Sequence, residues 1–337
     1  MSNPLVSICI PTYNGDKYLV ECLESCVNQI FKDFEIIICD DSSSDKTISI
    51  IESYAVKNSF IKFTKNEKKL GLVGNWNKCI ELSSGKWIKF VFQDDYISED
   101  CLEKFVNEIN DTSQLIVCKR KFILPEQASS DSLNYYTNVV RTLENTSNVL
   151  GDFFSPKLIS KITVENICLN FIGEPSLIFF KKSIVNEVGL FNSSLKQICD
   201  LEFALRIASK FGLTYIPHQL CAFRIHQNST TSNNVVNNYF DIHYIEPLLF
   251  SYLLLFDEKF ISFRSNLNYI QRFKLRLYFK LKAYQAYSIN LKEDRKCYLF
   301  TETNIMFNKI LDYKKGNILI KLIGLPYGCC HLLISTP

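Results

Sequence analysis

The sequence predicts an α/β fold, a mostly parallel central sheet flanked by helices, with a helical C-terminal extension. Up to about residue 227, short β-rich runs alternate with helical patterns, the signature of parallel strands joined by helical crossovers. Four segments, VSICIPTYNG at the N-terminus, CDDSSSD at 39–45, FVFQDD at 90–95 and CDLEFALR at 199–206, place polar groups, carboxylates above all, at or near the ends of apolar runs. An α/β sheet gathers its ligands at such strand ends. The polar stretch Gln227–Asn238 then breaks the pattern and divides a catalytic region, 1–230, from a helical region, 231–337.

Each element has its own signal. The expected strands are Val6–Ile10, Glu35–Cys39, Ile61–Thr64, Trp87–Phe92 and Leu115–Cys118, with Trp87–Phe92 apolar at nearly every position and therefore central. Between the first two, Leu19, Leu23, Val27 and Ile30 fall at helical spacing. Asp45 stands where an N-cap belongs for a helix through Ala55, and Ser98 does the same for Glu99–Ile109.

Composition narrows the function classes. The 337 residues are 47% apolar and 22% charged, which excludes wholesale disorder. A net charge of only +3 gives no support to a nucleic-acid partner. Thirteen cysteines are scattered, several inside apolar runs (Cys9, Cys39, Cys118, Cys168), with no CxxC pair. They read as small buried hydrophobes in a reducing compartment. MSNPLVSICIP lacks a basic start followed by a long apolar stretch, so a cytoplasmic protein without a cleaved signal peptide is expected.

The candidate site follows from the strand ends. After the first strand, Pro11, Thr12, Tyr13, Asn14 and Gly15 turn the chain over the sheet edge, offering backbone amides and the Thr12 hydroxyl. After the second, Asp40 and Asp41 are placed to accept hydrogen bonds from a base N–H or ribose hydroxyls. Gln93-Asp94-Asp95 follows the central strand. Adjacent carboxylates repel unless a cation or hydrogen bonds offset the charge, and Mg²⁺ or Mn²⁺ bridging to a diphosphate does so with one or two protein carboxylates.

These stretches, together with GNWNKCIELSSGKWIKFVFQDD, EVGLFNSSLKQICDLEFALRIASKFGLTYIP and AFRIHQNS, resemble the family 2 glycosyltransferases, inverting enzymes of the Rossmann-like GT-A fold. The resemblance spans about residues 4 to 228. It implies that Pro11, Thr12, Tyr13 and Asp41 belong to the nucleotide pocket, that Asn75 and Asn77 lie on a helix contacting the donor, that Asp94 touches the ribose or a metal-bound water, and that Asp95 coordinates the metal. In the family the 199–206 helix usually begins Glu-Asp-x-Asp, the second residue being the catalytic base. Here Cys199 replaces the Glu and Asp200 is kept, removing a carboxylate that could raise the base's pKa. His226 matches a family Arg-x-His position and is a second metal or diphosphate ligand by resemblance. Ile172–Ser176 resembles the acceptor loop, making Glu174 and Ser176 acceptor contacts.

The function implied is transfer of a sugar from a nucleotide-sugar, a UDP-sugar, to a saccharide acceptor, lipid-linked, in bacterial surface-polysaccharide synthesis. The alternatives are a catalytically silent scaffold in a glycan-assembly complex and a sugar-phosphate nucleotidyltransferase. The Gly-rich start of the latter is absent, as is the GxGxxG of a nicotinamide enzyme. In the C-terminal region seven Lys/Arg and no acid fall between Lys259 and Lys282. Leu267, Ile270, Phe273, Leu277, Leu281 and Tyr284 form a helical stripe, with Arg272, Arg276 and Lys280 facing away. Either an interfacial membrane helix over about 259–287 or a helix packed on the catalytic region has this pattern. The tail 317–335 is interrupted by Lys321, Gly324, Pro326, Gly328 and His331, which excludes a simple span.

Overall fold

The computed structural model describes residues 3–125, 127, 136, 140, 142–146, 152–226, 239 and 241–292, with side chains to 286. Its contacts divide the chain into two units, Met1–Gln285 and Ala286–Pro337; the account below concerns the first. The linker 227–238, the tail 317–335 and much of the loop between the fifth expected strand and residue 152 lie outside the described residues.

Strands β1 (Val6–Thr12), β2 (Phe34–Asp40), β3 (Ile61–Lys65), β4 (Trp87–Phe90), β5 (Tyr96–Ile97), β6 (Leu115–Ile123), β7 (Phe153–Phe154), β8 (Ile178–Lys181) and β9 (Leu213–Arg224) form one sheet. Their order is β3-β2-β1-β4-β8-β6-β9-β5, with β7 also paired to β9. Pairing is parallel for β3-β2-β1-β4 and for β6-β9, while β8 runs antiparallel between β4 and β6. Most strands therefore point one way, as expected. β1 and β2 are buried at every position, which is why they read as unbroken apolar runs rather than alternations. The helices are α1 (Leu19–Val27), α2 (Thr47–Lys57), α3 (Gly71–Leu82), α4 (Cys101–Asn107), α5 (Pro156–Glu165), α6 (Cys199–Phe211), α7 (Glu246–Phe256) and α8 (Tyr269–Lys292), alongside shorter turns.

Several boundaries moved for physical reasons. The central strand ends at Phe90 rather than Phe92, freeing 91–95 to arch over the sheet edge, although Val91 N–H still bonds Cys9 O at 3.0 Å. The Ser98 hydroxyl donates to Asp100 instead of capping a helix, and α4 starts later, at Cys101. Asp45 does accept from the Thr47 N–H at the start of α2. β9 absorbs Pro217 through a register shift: Ile216 pairs with Cys118 and Gln219 with Lys119, so the residue lacking an N–H is looped out.

Helix α6 is held at both ends by residues beyond 240. The Glu246 carboxylate accepts from the backbone N–H groups of Gln197 (2.9 Å), Ile198 (3.2 Å) and Lys196, serving donors just ahead of the helix. The Asn266 amide donates to Ser209 O at 2.9 Å near its other end. α8 turns Leu275 inward and donates from Tyr278 Oη to Cys168 Sγ at 3.5 Å. Its outer face carries Ile270, Phe273, Leu277 and Leu281, all exposed, whereas Leu267, expected in the same stripe, lies ahead of the helix and is buried.

Candidate active site

The strand order reverses direction at β1, with β2 on one side and β4 on the other. Such a switch point opens a crevice at the carboxyl ends of the strands. A cavity of about 930 Å³ lies there, lined at one end by Pro11, Thr12, Tyr13 and Asp41, and at the other by Asn170, Glu174 and Asp200.

At the first end, the two acidic residues at the close of β2 have separate tasks. Asp40 is fully buried and accepts from Thr12 Oγ1 (2.9 Å) and Ser43 N–H (2.8 Å), tying the two loops together. Asp41 faces the cavity, its oxygens oriented by Leu70 N–H (2.7 Å), Gly71 N–H (3.0 Å) and Asn66 Nδ2 (3.0 Å). Gly71 needs its positive φ of 76° for that turn. Tyr13 is half-exposed with the Lys69 ammonium 4.3 Å over its ring, and its backbone is clamped by Gln93, which accepts from its N–H (2.9 Å) and donates to its C=O (3.0 Å). Asn14 is not on the cavity wall; its side chain accepts from Ser44 N–H at 2.9 Å, and its φ is 45°. Asn75 touches the cavity, but its amide is engaged by Cys39 O (2.9 Å) and Asn66 Nδ2 (2.9 Å). Asn77 turns elsewhere, donating to Phe191 O and accepting from Phe191 N–H, both at 3.0 Å.

In the centre, Asp94 lines the cavity and meets His226 Nε2 at 2.8 Å through Oδ2. Asp95 lies just behind it, 1% exposed, accepting from Ser176 Oγ (2.6 Å) and Arg224 N–H (3.0 Å). Burial, and next the Asp94 charge, push the Asp95 carboxyl well above the carboxylate range. Ser176 is thus buried against Asp95 rather than placed along the acceptor wall. Its carbonyl accepts from the fully buried Lys89 ammonium. Among the described residues no group of three or more His, Cys, Asp or Glu forms a metal cage. Two adjacent carboxylates are nonetheless a donor set that fits Mg²⁺ or Mn²⁺ completed by water and phosphate oxygens.

At the far end, Asp200 opens α6 and is 8% exposed. Its Oδ1 accepts from Leu201 N–H (2.7 Å) and its Oδ2 from Asn170 Nδ2 (2.8 Å). Burial lifts its carboxyl to about 7, opposed by the Leu201 N–H and aided by the Glu174 charge. With Cys199 in place of the usual Glu, the Asp200 carboxyl still lies above the ordinary carboxylate range, because burial raises it and the Glu174 charge, from another element, adds to that. Glu174 Oε2 sits 2.8 Å from Arg120 Nε, close enough for ion pairing but without hydrogen-bond alignment. Sequence reasoning missed Lys89, which lies inside a matched stretch but reads there only as part of an apolar strand, and Arg120 and Asn170, which stand in no motif.

The comparisons agree with this architecture. Residues 7–158 match the model of glycosyl transferase family 2. The chain is 27% identical over 231 residues to chondroitin synthase of Escherichia coli, covering 68% of this chain and 30% of that protein. It is 34% identical over 168 residues to GalNAc(5)-diNAcBac-PP-undecaprenol beta-1,3-glucosyltransferase of Campylobacter jejuni, covering 48% and 54% respectively. The chain thus spans about a third to a half of the length of these two relatives. In structure it resembles S. aureus TarS 1-349 in complex with UDP-GlcNAc (TM-score 0.56, 18% identity, 85% of this chain and 81% of that one). It also resembles the mannosyltransferase PcManGT from Pyrobaculum calidifontis in complex with GDP-Man and Mn2+ (TM-score 0.53, 15% identity, 88% and 89%). With the match over residues 7–158, glycosyltransferase relatives and a sheet like that of GT-A structures, the chain carries a glycosyl transferase family 2 domain, and these similarities support a glycosyltransferase with a nucleotide-sugar donor.

Proposed function

We propose that the protein transfers a sugar from a UDP-sugar, with inversion, to a saccharide hydroxyl, and that the transfer depends on Mn²⁺ or Mg²⁺. The observation that carries this reading is one cavity with an oriented carboxylate, Asp41, at the nucleotide loops and a carboxyl poised near 7, Asp200, at the other end. Asp41 and the clamped Tyr13 backbone bind the nucleoside. Asp95, steadied by Ser176 and Arg224, and Asp94, steadied by His226, hold the cation. Bound there, the cation would act as a Lewis acid on the departing diphosphate.

Asp200 takes the proton of the acceptor hydroxyl as its oxygen bonds to the anomeric carbon. The carbon–oxygen bond to the diphosphate breaks, and nucleoside diphosphate leaves with that electron pair. A general base works best with a pKa near the operating pH, and burial brings Asp200 there.

The acceptor we propose is a lipid-linked saccharide in surface-polysaccharide assembly of the O-antigen or capsule type. The name of the Campylobacter relative supports it, as does the exposed apolar face of α8, flanked by Lys274, Arg276 and Lys280, which suits peripheral contact with an anionic bilayer on the cytoplasmic side. In this scheme residues 1–230 carry the chemistry, Glu246 and Asn266 in the 231–337 region support α6, and α8 meets the membrane. No described helix is long and apolar enough to cross one.

The test is hydrolysis and transfer from a panel of UDP- and GDP-sugars with and without Mn²⁺, in the parent and in Asp200→Asn. Metal-stimulated turnover lost in Asp200→Asn while donor binding persists is expected. Turnover unaffected by that substitution would remove Asp200 from the chemistry.

A further inference from the structure

The acceptor end of the cavity contains a side chain that no motif announces. Asn170 stands between α5 and the Glu174 turn. Its Nδ2 donates to Asp200 Oδ2 at 2.8 Å and to Gly173 O at 3.1 Å, while its Oδ1 accepts from Gly173 N–H at 2.8 Å. Those two bonds to Gly173 fix which end of the amide is which. Flipping it would set the amide nitrogen against the Gly173 N–H and its oxygen against both the Gly173 carbonyl and the Asp200 carboxylate.

The clamp is itself built. Gly173 has φ 124°, and a Cβ there would lie 2.4 Å from Leu177 Cδ1, so only glycine closes the loop. Cys168, two residues before Asn170, takes the left-handed φ of 66° and accepts from Tyr278 Oη of α8. A non-glycine residue in that region is held by its surroundings.

We propose that Asn170 is a positioning residue for the transfer reaction: it locks the Asp200 carboxylate in one orientation, leaving a lone pair of that carboxylate directed at the acceptor hydroxyl. The inference rests on Asp200 being the base. With Oδ1 held by the Leu201 N–H and Oδ2 by Asn170, the carboxylate cannot rotate without losing a bond to a charged acceptor, a strong class of hydrogen bond. A preorganised base contributes through orientation as well as basicity.

The other charged or titratable groups facing Asp200 come from three elements: Arg120 on β6, Glu174 on the turn before β8, and the Cys199 thiol on α6 itself, which burial keeps protonated. Lys196, on the approach to α6, is paired with Asp241. None of these is hydrogen-bonded to the Asp200 side chain, so the Asn170 amide is the group whose removal alters it most directly.

A donated hydrogen bond favours the ionised carboxylate, so removing it raises the pKa at which Asp200 loses its proton. The experiment compares the parent with Asn170→Ala and the nearly isosteric Asn170→Asp, measuring donor affinity by calorimetry and the pH profile of kcat. Asn170→Ala should keep donor affinity within about twofold and lower kcat at pH 7 by about 10- to 100-fold. It should also move the rising limb of the profile up by about one to two pH units. Asn170→Asp, which sets a second carboxylate against the first, should move it at least as far. An unmoved limb in both variants, with Asp200→Asn inactive, overturns the positioning role and leaves the base assignment standing. Full transfer by Asp200→Asn overturns both. Loss of donor binding in both variants also counts against the proposal, because a group at the base should leave the nucleotide end untouched.

Discussion

Replacing Asp200 by Asn should stabilise the protein at pH 8 and leave it close to the parent's stability at pH 5, a difference whose size follows from the burial of this carboxyl. Its value rises from the ordinary 3.8 to about 7 in the folded chain. A raised folded pKa means that the folded state binds the proton more tightly. The associated stability is fully present below about 3.8 and is lost progressively as the pH climbs through 7. At about 1.4 kcal/mol per pH unit the loss is ~4 kcal/mol. Asn escapes it, having no proton to lose, but carries a cost of its own: both Asp200 oxygens accept bonds, from Leu201 N–H and Asn170 Nδ2, and an amide has one acceptor for two donors. That mismatch costs about 1–3 kcal/mol at every pH. By pH 5, ~1.2 pH units above the unfolded value, ~1.6 kcal/mol of the parent's loss has already occurred, so the variant should lie within about 1.5 kcal/mol of the parent there and be more stable by about 1–3 kcal/mol at pH 8. Urea unfolding of both proteins from pH 5 to 8, without metal or donor, measures the difference. Taking the difference cancels Glu202 and Glu246, which burial also raises. A gap between the two proteins that stays constant over that range would refute a base held protonated by its burial.

Other outcomes are expected. Asp95→Asn should abolish the effect of Mn²⁺ on donor affinity and reduce transfer at least 100-fold, consistent with removal of charge beside a diphosphate; an unchanged metal titration would exclude Asp95 from the site. Changing Lys274, Arg276 and Lys280 together to Gln should weaken flotation with anionic vesicles by ~3 kcal/mol at low salt and less at high salt, with hydrolysis of soluble donor intact. Phe273→Ser should weaken that flotation without lowering Tm, because the ring is 58% exposed, whereas Leu275→Ala, at a fully buried position, should cost about 2–5 kcal/mol of stability. No vesicle binding by the parent would sink the membrane assignment. Arg206→Met should destabilise the fold by about 3–5 kcal/mol in thermal or urea unfolding, since it strands the buried Glu202 carboxylate 2.9 Å away and the carbonyls of Gly189 and Leu190.

What could be read from the sequence was whatever a strand end dictates. Asp41, Asp94 and Asp95 follow apolar runs, and the parallel sheet carries their termini to one edge. The helix opening at Cys199 was legible through the family resemblance, and the carboxylates of Asp200 and Glu202 in its first turn suit the positive helix end. Strand β8 was not legible as an antiparallel insertion: IFFK has the same apolar character whichever way it runs, and its direction is set by pairing with β4 and β6. The roles of Ser176 and Asn170 were hidden because their partners, Asp95 and Asp200, lie 81 and 30 residues away. Lys89 was hidden further, as a cation inside an apolar strand that stays acceptable only because Ser176 O and Cys221 Sγ receive it.

Those hidden residues bear on how the two halves of the site keep their spacing. Asn170 bonds Asp200, the proposed base, and Ser176, only six positions later, bonds Asp95, the carboxylate proposed for the metal. Between them Gly173 closes the Asn170 clamp, Glu174 meets Arg120, and Pro175 opens a turn whose Glu174 carbonyl accepts from Leu177 N–H at 2.8 Å. Lys89 pins the far end of this segment from within the central strand β4. In the proposed transfer the cation and the base would act on opposite sides of one anomeric carbon, so their separation would have to hold while a proton and a diphosphate move in opposite directions. A single segment bonded to both carboxylates and anchored to the sheet fixes that separation directly, and it does so without requiring either carboxylate to sit on a rigid element of its own.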